Sequence, residues 1–269
     1  MKRNILVISY LLFSTILPAQ KIFVHVGAGV MNYSGDLQSK VYTLNQADAD
    51  IQVGVGYQFS QHFTVNYFIA TGKLKGSDAK TNVNRTPRNL SFYSSIGETA
   101  FTLEASLTDV TGVYNFTPYV FAGMGLFRMD PYTLDDSAKK VYLNPLHTEG
   151  QGLPEYPDRK PYKLVNFTIP FGFGFKYALS ENLILSAEFG FRKTFTDYID
   201  DVSSRTYADT ALLSANFGQK SADLSFRADE IPGNPYELKA QRGNPDKKDF
   251  YYNILFKVSF SFDKSIFQF

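Results

Sequence analysis

The stretch VNFTIPFGFGFKY, residues 165–177, decides the reading of the fold. Val165, Phe167, Ile169, Phe171, Phe173, Phe175 and Tyr177 alternate with Asn166, Thr168, Pro170, Gly172, Gly174 and Lys176. Side chains on a strand alternate between its two faces, so this period predicts a β-strand with one bulky apolar face and one small or polar face. The stretch FYYNILFKVSFSF, residues 250–262, repeats the pattern: Phe250, Tyr252, Ile254, Phe256, Val258, Phe260 and Phe262 oppose Tyr251, Asn253, Leu255, Lys257, Ser259 and Ser261. Both are too long and too rich in Phe to hide in the core of a soluble β-sandwich, the other architecture whose strands alternate.

Working outward, four more segments alternate in the same way. Ile22, Val24, Val26, Ala28 and Val30 stand against Phe23, His25, Gly27 and Gly29, and Ile51, Val53, Val55, Tyr57 and Phe59 against Gln52, Gly54, Gly56 and Gln58. Phe63, Val65, Tyr67 and Ile69 oppose Thr64, Asn66, Phe68 and Ala70, and Leu185, Ala187, Phe189 and Phe191 oppose Ser186, Glu188, Gly190 and Arg192. Weaker segments near 101–107 and 119–127 complete a set of eight. An apolar face backed by Gly, Asn, Gln, Thr, Glu and Lys is inside-out for a globular protein and correct for a barrel in lipid. The expected fold is therefore all-β: an eight-stranded antiparallel transmembrane β-barrel, with glycine on a crowded inner face.

Connector lengths support this reading. Segments 35–49, 76–89, 131–163 and 203–249 are long, 60–62 and 180–182 are short, and 108–117 is intermediate. That is the alternation of long extracellular loops with short periplasmic turns. The chain ends on Phe267 and Phe269, similar to the aromatic terminus of many outer-membrane barrels, although Asp263 and Lys264 interrupt the alternation before it.

Residues 1–19 read as a signal peptide: Lys2 and Arg3 precede an apolar run over 5–17, and Pro18-Ala19-Gln20 forms the cleavage site. The apolar run is shorter than a transmembrane helix needs and is broken by Ser9, Ser14 and Thr15. The barrel domain is then 20–269, and the expected location is the cell outer membrane. The chain has no cysteine, which excludes disulfides, thiol chemistry and a lipidated cysteine. With 27 Lys plus Arg against 26 Asp plus Glu, no global field draws it to nucleic acid; membrane lipid is the expected partner. Its aromatic residues are 25 Phe and 18 Tyr, which suits a surface facing lipid.

Little in the sequence points to catalysis or to a cofactor. His25 falls on a strand, His62 in a short turn and His147 in a long loop, which is not the compact spacing of a metal site. Asp197, Asp200 and Asp201 cluster beyond Arg192 and Lys193. Their spacing is compatible with calcium, but the EF-hand Gly and final Glu are absent, and ion pairs with loop or lumen arginines are the simpler account. Inner-face Glu98, Glu104, Glu188, Arg192 and Lys176 are expected to neutralise one another in a plugged lumen.

Several segments carry a resemblance that reaches beyond the barrel period. RNLSF (88–92), TPYVFAGMGLF (117–127), LHTEGQG (146–152), IPFGFGFKYAL (169–179), GFRKTFTDYIDDVS (190–203) and RGNPDKKDFYYN (242–253) resemble the PorG-like outer-membrane proteins of the Bacteroidetes. The resemblance implies a noncatalytic component of the type IX secretion system that anchors or assembles a periplasmic ring of PorK and PorN type. Its motif residues are Arg88, Glu98, Glu149, Gly150, Gln151, Gly152, Arg192, Asp197, Asp200, Asp201, Arg242, Gly243 and Asn244. They are expected to be structural, Gly150 and Gly152 permitting a tight loop and Arg192 locking a loop to the rim through Asp197, Asp200 and Asp201. An adhesion or binding protein acting through its outer loops is the alternative, ahead of a barrel enzyme; a pore fits least, because eight strands leave room only for side chains.

Overall fold

The computed structural model describes residues 21–38, 40, 42–81, 86–110 and 114–263. The signal segment 1–19 and the aromatic end at Phe267 and Phe269 lie outside them.

Eight long strands form the wall: β1 (Lys21–Ser34), β2 (Asp48–Gln58), β3 (Phe63–Ser77), β4 (Ser91–Ser106), β5 (Phe116–Arg128), β8 (Val165–Ser180), β9 (Leu183–Thr194) and β10 (Phe250–Asp263). Each pairs antiparallel with its neighbour in chain order, and β10 returns to pair with β1 from Lys21↔Asp263 to Ser34↔Phe250. Closure leaves no wall strand with an unpaired edge, the condition for a sheet to cross hydrocarbon. The expected eight-stranded transmembrane β-barrel is the observed architecture, and no helix among the described residues is long and apolar enough to cross a membrane. The two weak segments are full strands, β4 and β5.

The alternation read from the sequence maps onto outside and inside. Val26, Ile69, Phe101, Val120, Phe173 and Phe256 stand exposed around the wall, and the residues between them turn inward and are mostly buried. On a protein in water this belt would oppose folding at roughly 25 cal/mol per Å² left uncovered; in lipid it carries no such cost.

The lumen is filled. Across it lie three ion pairs: Glu98 with Arg192, Glu104 with Lys176, and Glu188 with Lys257. Tyr119 donates to Glu188 at 2.9 Å, and Asn253 accepts from Arg192 at 2.7 Å while donating to Asp50 at 2.6 Å. The plugged lumen and its mutual neutralisation match expectation, with Lys257 as the third cation.

Both ends of the lumen are closed by apolar clusters that the polar-lumen reading did not foresee. At the long-loop end Met31, Tyr33, Leu74, Phe92, Ile96, Phe127 and Tyr251 point inward and pack with Leu37, Leu143, Ile199, Val202 and Leu224 from the loops. At the short-turn end Phe23, Ala178 and Ile184 meet Val110, which the β4–β5 connector tucks under the barrel. A cavity inside the lumen, near His25, Glu104 and Lys257, is about 20 Å³, space for one water.

The long loops build a cap. The loop after β5 forms a hairpin of β6 (Pro131–Leu134) and β7 (Lys140–Tyr142), which extends β4 through Tyr93↔Tyr132. The last loop holds α1 (Thr210–Phe217) and α2 (Gln219–Ser225); Asp209 caps α1 by accepting from the Ala211 amide at 2.7 Å. Tyr252 sits on the outward face as the alternation requires but is buried, because the β1–β2 loop folds over it and Thr43 N donates to its hydroxyl at 2.8 Å.

Candidate functional site

The motif residues of the loops converge at the base of the cap. Glu149 lies just after a short 3-10 turn, Asn144–Leu146, which His147 closes in a left-handed conformation (φ 49°). Its buried carboxylate accepts from the Ser203 and Ser204 amides at 2.9 Å and from Ser204 Oγ at 2.7 Å, and pairs with Arg242. One side chain thus ties three loop segments together. Gly150 and Gly152 hold φ values of 73° and 88°, as the tight-loop expectation requires, and Gln151 turns its Oε1 back to the Glu149 amide at 3.1 Å.

Arg242 and Arg88 are buried cations of this base. Arg242 reaches Thr148 Oγ1 and the Asp201 carbonyl at 3.3 Å besides Glu149. Arg88 forms a bidentate pair with Asp78 at 2.7 and 2.8 Å, donates to the Asp36 carbonyl at 3.0 Å and also reaches the Arg242 carbonyl. Asn244 N donates to Asp36 Oδ2 at 2.8 Å, and the Gly243 amide to the Ser204 carbonyl at 2.9 Å. Such fork-to-carboxylate contacts are strong and orienting, and they join the β1–β2, β3–β4, β5–β8 and β9–β10 connections.

The aspartates belong to the same base but not to Arg192. That arginine lies at an inward position of β9, so its side chain enters the lumen and pairs with Glu98; the expected lock of Arg192 to Asp197, Asp200 and Asp201 is corrected accordingly. Asp201 instead accepts from Tyr162 OH at 2.6 Å and from Thr148. Asp200 accepts from Tyr33 OH and from the Val202 amide, Asp249 from the Ile199 amide at 2.9 Å, and Asp197 from Ser203 Oγ at 2.7 Å.

Carboxylates outnumber cations here, and their acidity responds. Burial pushes Asp197 and Asp201 up to about 6, with Arg242 opposing the shift at Asp201. Burial, then the neighbouring acids, raises Asp200 and Asp249 well above the usual range. Among the described residues no three or more His, Cys, Asp or Glu side chains form a group that could hold a metal ion. His25 is buried in the lumen, His62 bonds the Ser106 carbonyl at 3.1 Å and His147 packs on Phe217, so the histidines stay dispersed. What the arrangement does chemically is hold loops, through bonds that each satisfy a buried charge.

Sequence reasoning named Arg88, Glu149, Arg242 and the aspartates but missed Asp36, Asp78, Tyr162 and Asp249. Asp249 lies inside the RGNPDKKDFYYN segment, and Asp78 follows the end of β3; neither position carries a local periodic signal.

A family model described as "Domain of unknown function (DUF6089)" matches residues 2–225. No curated protein matches. Among solved structures the chain is similar to Ail, the attachment invasion locus protein of Yersinia pestis, at 7% identity over 90% of this chain and 99% of that one, with a TM-score of 0.43. It is similar to Neisserial surface protein A at 9% identity over 90% and 97%, TM-score 0.44. It is also similar to the outer membrane protein OprG from Pseudomonas aeruginosa at 9% identity over 91% and 96%, TM-score 0.39.

Proposed function

The chain belongs to the DUF6089 family, and we propose that it is a noncatalytic barrel of the cell outer membrane that serves as a rigid anchor. The observation that carries this reading is the doubly sealed lumen. Among the described residues apolar clusters close both ends and ion pairs fill the middle, which leaves no conduit through the barrel. What the fold offers is an apolar belt, a stitched cap and, at the opposite end, the strand-to-strand turns.

The finer proposal is a role in type IX protein secretion, as an anchor for a periplasmic ring of PorK and PorN type. Its support is the resemblance of the motif segments to PorG-like proteins, together with the convergence of Arg88, Glu149, Asp197, Asp200, Asp201 and Arg242 on one structural lock. In this orientation the long loops face outward and the turns at 59–62 and 181–182 face the periplasm, where a ring would meet them. Purification of a tagged copy in mild detergent, followed by mass spectrometry, tests it. Recovery of the ring proteins is the expected result. A folded barrel recovered alone, under conditions in which the ring survives, overturns it.

A second reading, external binding or adhesion through the loops, is favoured by a pocket of about 240 Å³ in the cap between Asp36, Arg88, Tyr236 and Arg242. Loss of adhesion with intact secretion after removal of cap residues 210–240 would move the assignment there.

A further inference from the structure

On the outside of the barrel, near the long-loop end, a groove of about 540 Å³ crosses β8, β9 and β10. This is within the roughly 300–1,000 Å³ of small-molecule sites. Its floor is the cross-strand pair Phe171 and Phe191, stacked at 5.3 Å, and Tyr42 from the β1–β2 loop stands edge-on to Phe191 at 6.1 Å. Phe195 and Phe250 extend the aromatic lining; of the charged residues that border the groove Lys193 and Lys248 reach its surface, while Arg192 and Asp249 are buried.

Lys193 fixes the depth of this groove. It occupies an outward position of β9, between Ile169 and Phe250 in register and two residues beyond Phe191. A lysine on the lipid face is tolerated where its stem lies along apolar surface and its ammonium reaches the head groups. The aromatic floor therefore lies just inside the hydrocarbon, and the lysine at its boundary. Lys248 holds its ammonium 3.9 Å from Asp197 Oδ2 and donates to the Pro245 carbonyl at 3.2 Å, with half of its side chain exposed.

We propose that this groove binds one phosphate-bearing lipid of the surrounding leaflet, an acyl chain on the Phe171 and Phe191 floor and the phosphate at Lys193 and Lys248. The chemistry of the groove matches that of an anionic lipid end to end. Hydrocarbon meets aromatic rings below the boundary, and a negative head group meets two cations at it. The proposal rests on the membrane reading above.

The test uses the full protein folded into nanodiscs of phosphatidylcholine with a minority of phosphatidylglycerol, released and weighed by native mass spectrometry. One retained phosphatidylglycerol per barrel is expected, in preference to phosphatidylcholine. Lys193→Gln should lower that retention about fivefold, the equivalent of about 1 kcal/mol per surface lysine, and Lys193→Arg should restore it. The electrophoretic heat shift of each variant confirms that it is folded. Equal retention of both lipids, no change in the Lys193→Gln, Lys248→Gln double variant, or a second barrel in place of lipid overturns the site alone. Failure of the protein to enter the nanodiscs overturns the membrane reading and the site with it.

Discussion

The guanidinium of Arg192 on β9 crosses the lumen to the Glu98 carboxylate on β4, with Nε 3.2 Å from Oε2 and both side chains almost wholly buried. Around the wall two strands, β5 and β8, separate β4 from β9 on one side and four, β3, β2, β1 and β10, on the other, so the pair spans the lumen between non-neighbouring strands. Replacing one partner leaves the other charge buried. Arg192→Ala or Glu98→Ala should cost about 3–5 kcal/mol, while replacing both with apolar residues of similar volume should cost much less. Urea titration of the barrel in detergent micelles reads the difference. Equal costs for the single and double variants would show that packing, not charge, carries the effect.

The base of the cap is a separate unit of stability. Glu149→Ala removes the acceptor of Ser203, Ser204 and Arg242 at once, and should open the last loop while the wall persists. Limited proteolysis should then cut within residues 195–249, with the heat shift of the barrel unchanged. Arg192→Ala, by contrast, should leave the cap uncut at temperatures where the barrel holds. Wild-type resistance in Glu149→Ala would remove Glu149 from the lock.

The wall was legible in the sequence because its physics is local. A period of two written in Phe, Val and Ile specifies which face of each strand meets lipid, and Phe173 against Gly174 needs no partner to be read. Arg88 and Arg242, 154 positions apart, could be named as motif residues, yet their meeting through the Arg242 carbonyl depends on how four loops fold together. No period records that. The inward row of Met31, Tyr33, Phe92 and Phe127 stands where the period implies a polar lumen, and only the loops that supply Leu37, Ile199 and Val202 to cover it make sense of it.

Acid should tighten the cap. Asp197 and Asp201 titrate near 6 in the folded protein against about 3.9 in an unfolded chain. Their folded values are raised, so the stability linked to protonation is fully present below about pH 4 and is lost as pH rises through 6. Each group accounts for on the order of 3 kcal/mol across that window. Hydrogen exchange of loop amides at 195–206, corrected for intrinsic rates, should show greater protection at pH 5 than at pH 7.5. Asp197→Asn should flatten the dependence, and a cap that loosens at pH 5 would contradict it.

Two glycines separate inner from outer crowding. A Cβ on Gly174, inside β8, would fall 2.6 Å from both the Ala187 carbonyl oxygen and Tyr119 Cζ, whereas one on Gly97, outward on β4, meets nothing within 4 Å. Gly174→Ala should therefore destabilise by about 1–3 kcal/mol through overpacking. Gly97→Ala should be neutral or stabilising by about 0.4–1 kcal/mol through the unfolded chain. Equal effects of the two in the same titration would mean that both Tyr119 and the Ala187 backbone yield to the added methyl.

The depth dependence of a charge on the outer face discriminates a lipid-spanning barrel from one in water. Phe173 lies near the middle of β8, outward, between Val120 and Phe189 in register; Tyr177 shares that face four residues nearer the short-turn end. In a bilayer, Phe173→Lys places an ammonium near the midplane and should cost about 2–4 kcal/mol, whereas Tyr177→Lys, close to the interface, should cost about 0–1 kcal/mol. Folding titrations in phospholipid vesicles measure both. In water neither site would penalise a charge by depth, because both side chains are about half exposed. Matching small costs would therefore place the belt outside hydrocarbon, while a steep difference between the two ties residues 165–177 to the core of the membrane.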